Sequence, residues 1–63
     1  MTLERARELI ALQISLGTGY NRNAVTLILA EVGRNHGQQA VDNLIAEMNL
    51  EQIFGITQGR QYH

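Results

Sequence analysis

Apolar side chains recur along this chain at helical spacing, in blocks set apart by paired glycines: Gly17 and Gly19, Gly33 and Gly37, Gly55 and Gly59. The first block predicts a helix over about Leu3 to Leu16. Steps of about 100° per residue place Leu3, Ala6, Ile10 and Ile14 on one flank and Leu9, Leu12 and Leu16 on the adjoining one. So wide an apolar arc has to be covered from two sides. Thr2 stands where an N-cap belongs, and Glu4 in the first turn suits the positive end of the helix dipole.

The second block, Asn21 to Val32, contains Ala24, Val25, Leu27, Ile28, Leu29, Ala30 and Val32 and has almost no polar side. Such a helix belongs in the middle of the packing. Its Val25 to Leu29 run would also suit a buried strand by periodicity alone, but no second strand is present to pair with it. Asn21 or Asn23 suits its start, and Gly33 is expected to end it in the left-handed conformation that glycine tolerates. In the third block Ala40, Val41, Leu44, Ile45 and Met48 form a stripe opposed by Asp42, Asn43 and Glu47, an amphipathic helix of about three turns. The stripe fails at Glu51 and Gln52 and resumes with Leu50, Ile53 and Phe54, while Asn49 with Gln52 resembles a capping box. A bend and a short additional helical turn follow, with Phe54 expected to fold over the second flank of the first helix. The expected fold is all-α: a compact three-helix bundle with a short additional C-terminal helical turn. It forms one domain over residues 1–56, followed by a polar, disordered tail over 57–63.

At 63 residues the chain sits near the size where folding hides only about 60% of the unfolded surface, so disulfides, a metal or self-association often assist. Cysteine is absent, and His36 and His63 have no chelating neighbour at helical spacing, so no structural metal is expected. Packing and pairing with a second copy remain. The formal net charge of −1 provides no field to recruit phosphates or anionic lipid. Every cation is arginine, so no side-chain amine is available for acylation. No apolar run approaches the roughly 18 residues of a membrane span, and Met1-Thr2-Leu3-Glu4 lacks the basic start of a signal peptide. The expectation is a cytoplasmic protein with no membrane partner.

Catalytic chemistry finds little purchase. His36 lies in a polar turn with Arg34 and Asn35, and no Ser, Cys or carboxylate has an identifiable charge relay with it. Gly17-Thr18-Gly19 lacks the Gly-Lys-Ser/Thr of a phosphate loop and follows a helix rather than a strand. No enzyme and no cofactor are expected. Three short helices also fit a DNA-reading fold, but the third offers Asp42 and Glu47 with no Arg or Lys, which repels a phosphate backbone. Nucleic-acid binding would have to rest on Arg22 and Arg34, so no nucleic-acid partner is expected.

Leu16-Gly17-Thr18-Gly19-Tyr20, Asn21 to Val25, Leu29, Gly33 to Gly37, Ala40-Val41 and Leu44-Ile45 together resemble the ubiquitin-associated (UBA) domain family. That family has a Met-Gly-Phe/Tyr loop after its first helix and an Ala-Val-x-x-Leu-Leu/Ile third helix. The resemblance covers roughly Leu9 to Met48. The chain is also similar to the N-terminal helical domain of the elongation factor Ts family, which has a Thr-Gly-Ala-Gly-Met loop where Leu16 to Tyr20 stand. Both imply a UBA-like three-helix domain, with different partners. The UBA resemblance implies a non-enzymatic protein-binding module whose apolar patch is Thr18, Gly19 and Tyr20 with Ile45, extended by Met48. Thr18 replaces the usual methionine and removes apolar contact area, which argues against ubiquitin itself. The same residues also fit a plain interhelical turn, with Ile45 and Met48 as core. The alternative function is a homodimer paired through the apolar C-terminal turn.

Overall fold

Local chemistry starts the first helix where expected. Thr2 is in extended backbone and its side-chain oxygen accepts the Arg5 N–H at 3.0 Å, opening α1 (Leu3–Ser15). The computed structural model describes residues 1–17 and 21–60. Among them the fold is all-α, with α1 followed by α2 (Arg22–His36), α3 (Gln38–Glu47) and α4 (Leu50–Phe54), and no strand. Three helices form the bundle and the fourth is the short additional turn. α2 packs against both α1 and α3, and α4 packs on α3.

α2 runs past the residue expected to end it. Gly33 lies inside the helix, and the break falls at Gly37, with φ 91° and ψ 170°, whose N–H bonds the Gly33 carbonyl at 3.0 Å. Arg34 and His36 thereby join the last turn, at the negative end of the helix dipole. Gly33 instead faces α3: a β-carbon there would meet Val41 Cγ2 at 3.5 Å. Two glycines four residues apart could each stop the helix. The one that does is the one at which the chain must turn, because α3 begins at the next residue.

The core is aliphatic. Ala6 and Ile10 of α1, Val25, Leu29 and Val32 of α2, and Val41, Leu44 and Ile45 of α3 close on Leu50, Phe54 and Ile56. No polar or charged residue is buried among the described residues. Fully burying one Leu, Ile or Val contributes roughly 1.5–3 kcal/mol, so cohesion rests on this cluster.

Asn49 adopts the left-handed conformation (φ 60°) that Asn tolerates better than most residues, which bends the chain between α3 and α4. The expected capping box is not made: Asn49 Nδ2 donates to Gln52 Oε1 at 2.9 Å, and the Asn49 side chain caps no backbone N–H. Gly55 (φ 72°) ends α4, with its N–H on the Glu51 carbonyl at 2.9 Å and the Ile56 N–H on the Leu50 carbonyl at 3.3 Å.

Phe54 does not cover the second flank of α1. Its ring is in the core and its carbonyl accepts Arg22 Nε at 3.0 Å, tying the end of α4 to the start of α2. Leu12 and Leu16 remain 51% and 67% exposed. The reason is reach: a helix of five residues spans only about 7.5 Å, and α4 spends it on α3. The chain then returns along α3. The Gly59 N–H donates to Asp42 Oδ1 at 2.8 Å, and Gln38 Nε2 donates to the Arg60 carbonyl at 2.9 Å. Residues 61–63 of the expected tail lie outside the described residues.

Candidate functional site

Of the five residues in the expected patch, Thr18, Gly19 and Tyr20 lie outside the described residues. Ile45 is 1% exposed and belongs to the core, so in this conformation it has no surface to give a partner. Met48 is partly buried against the same cluster, at the residue that closes α3. The cause is the C-terminal cover: α4 and Ile56 fold onto α3, and the helix face that the UBA resemblance leaves open is filled here by the chain itself.

The exposed apolar surface is elsewhere. Leu12 of α1 and Leu16, the residue that caps its end, are one helical turn apart, with the partly buried Leu9 continuing the line. Side chains at this spacing form one stripe, and Leu16 leads through Gly17 (φ 104°) directly into the Thr18-Gly19-Tyr20 loop. Arg5 Nη1 and Glu8 Oε1, 3.5 Å apart and exposed, make an ion pair on the preceding turns, a weak interaction in solvent. Leu27, 64% exposed, is a separate apolar position on the outside of α2.

The start of α2 is tied back to the end of α1. Asn21, at the N-cap position of α2, makes no side-chain cap; its Nδ2 donates instead to the Gln13 carbonyl at 2.7 Å and to Gln13 Oε1 at 3.1 Å. The Gln13 carbonyl, in the last turn of α1, thus accepts this amide beside the Leu16 N–H at 3.3 Å. Arg7 Nε meets Glu47 Oε2 at 2.6 Å, joining α1 to α3. The hydrogen bond and the charge of Glu47 raise the Arg7 pKa above its ordinary value.

His36 is exposed, with Nε2 2.9 Å from the Met1 carbonyl. Among the described residues no three His, Asp or Glu side chains are grouped so as to hold a metal ion. No helix among them is long and apolar enough to cross a membrane. Comparison with protein-family models, with curated proteins and with solved structures finds no match for this chain.

The sequence pattern drew attention to the loop but missed Leu12 and Leu16 as surface. The signal was present in the two-sided apolar arc of the first helix, of which only one side is closed.

Proposed function

We propose that this chain is a UBA-like helical module that binds another protein through the outer flank of α1 and the loop that follows it. The contact residues are Leu12 and Leu16, joined by Thr18, Gly19 and Tyr20, with Met48 outside the stripe and Ile45 held in the core. The supporting observation is the exposure of Leu12 and Leu16 on one helical face, in a chain whose small core leaves little apolar area to spare. Covering such side chains contributes roughly 25 cal/mol per Å² of apolar surface. The order of helices, the glycine loop and the Ala40-Val41-x-x-Leu44-Ile45 segment support the likeness to UBA and elongation factor Ts domains. The reading gives the chain no catalytic step and no cofactor, and a cytoplasmic location goes with it.

The test is an NMR titration of the labelled protein with ubiquitin and, separately, with translation factors. Binding should move the amides of Leu12, Leu16 and residues 18–20. Binding that leaves them still, or no binding to any of these proteins, counts against the reading. A second reading, two copies paired through the same leucine stripe, has the same observation behind it. Sedimentation equilibrium decides that one: a monomer at high micromolar concentration removes it.

A further inference from the structure

The charge of α1 is confined to its first half: Glu4, Arg5, Arg7 and Glu8 carry all of it, and none stands from Leu9 to Gly17. Arg7 is engaged with Glu47 of α3, which leaves Arg5 and Glu8 on the outer flank, joined to each other by an exposed ion pair that is weak in solvent. Arg5, Leu9, Leu12 and Leu16 follow one another at steps of four, three and four residues. At helical pitch they fall within an arc of about 60°. Steps of three and four are those of a helix that packs its seam on another helix. Here Leu12 and Leu16 are exposed and Leu9 is partly buried. The last turn of α1 has no basic residue, so the negative end of its dipole has no cation of its own helix beside it.

We propose that this flank is self-complementary and takes the α1 of a second copy laid antiparallel on it, with Leu9 of each copy against Leu12 of the other and Arg5 of each over the other's Leu16. The inference rests on the second reading above, two copies paired through the leucine stripe, and gives that pairing a direction and a register. The spacing four-three-four reads the same both ways along the helix. The register that sets Leu9 on Leu12 therefore also sets Arg5 on Leu16, and a two-fold axis relates the two halves of the contact. Charge selects the direction. Side by side in parallel, Arg5 would face Arg5 and Glu8 would stand beside Glu8, which is unfavourable. Turned antiparallel, the charged half of each helix lies on the uncharged half of the other. Arg5 can then lay its apolar stem along Leu16 and bring its guanidinium to the negative end of the facing helix, while Glu8 stands opposite the neutral Gln13. A contact one helix wide falls below the roughly 800 Å² a side of a standard stable complex, so the pairing is weak and reversible.

The chain has no cysteine, so a single introduced one reports the arrangement without background. Ser15 is exposed beside the stripe. The full chain bearing Ser15→Cys with a nitroxide attached, and no isotope label, is mixed at high micromolar concentration with isotope-labelled unaltered chain. Antiparallel pairing should broaden the amides of Glu4 to Glu8 in the labelled copy more than those of Leu12 to Leu16. Arg5→Gln should weaken self-association about threefold or more, since two such contacts are lost in each dimer, and Arg5→Lys should restore it. Broadening centred on Leu12 to Leu16 overturns the antiparallel register while leaving the pairing through the leucines in place. An Arg5→Gln chain that pairs as well as the unaltered one overturns the role given to Arg5. A monomer at that concentration, or a dimer with no broadening along α1, removes the pairing itself and the inference with it.

Discussion

The two outer helices of the bundle pose the same problem and meet it differently. α1 and α3 each pack one flank on α2 and carry a second apolar flank. On α3 that flank is closed: Ile45 is 1% exposed, with α4 packed alongside and Ile56 fully buried in the same cluster. On α1 it is open, with Leu12 and Leu16 at the surface. Among the described residues the segment after α3 supplies this cover, and the left-handed residues Asn49 and Gly55 direct it to α3. Which apolar face stays available to a partner is decided by the direction of these two turns together with the wider apolar arc of α1.

The sharpest way to break the contrast is Ile56→Ala. Removing a fully buried isoleucine from the root of the α3 cover should cost about 2–5 kcal/mol, read as a large fall in thermal midpoint, and could leave the domain largely unfolded at 37 °C. Next comes Gly55→Ala, which asks an L-residue to hold φ 72° at the turn back toward α3. Its expected cost is about 1–2 kcal/mol, measured by chemical denaturation. Gly33→Ala should do the reverse and stabilise by about 0.5–1 kcal/mol: Gly33 is inside α2, and the added methyl would make ordinary contact with Val41. A loss of stability there would mean that α3 lies closer to α2 than described. The smallest effect on folding belongs to the open flank. Leu12→Gln with Leu16→Gln should leave stability within about 0.5 kcal/mol while abolishing partner binding or self-association through α1. A large loss of stability in that pair would show the two flanks to be alike after all.

What could be read from the sequence was local. Thr2 forms its cap within one turn, and the stripe from Ala40 to Met48 is an α-helix whose apolar side faces inward. Competition between equivalent signals was not legible: Gly33 and Gly37 carry the same conformational freedom, and only the position of α3 selects Gly37. Nor does periodicity say what covers a face. It identified the apolar side of α3 and the two apolar flanks of α1, but assigning Phe54 to α1 required a reach that a five-residue helix lacks. Ile56 gives no periodic sign of being core because it stands past the helix-ending Gly55, with the polar Thr57 and Gln58 after it. An apolar residue directly after a helix-ending glycine commonly folds back on that helix, and this was the usable clue. The Gln38–Asp42 pair gave no sign at all, since its partners are backbone groups that any residue could supply.

The bond between the Asn21 amide and the Gln13 carbonyl separates the register of the bundle from the content of the connector between its first two helices. With the anchors on either side held by this bond and by the core, longer or differently composed sequences at positions 18–20 would add only the slow logarithmic entropy of a bigger loop. That makes the connector the natural place for diversification: a library randomised there, or a descendant line drifting there, could acquire new binding preferences on an unchanged scaffold.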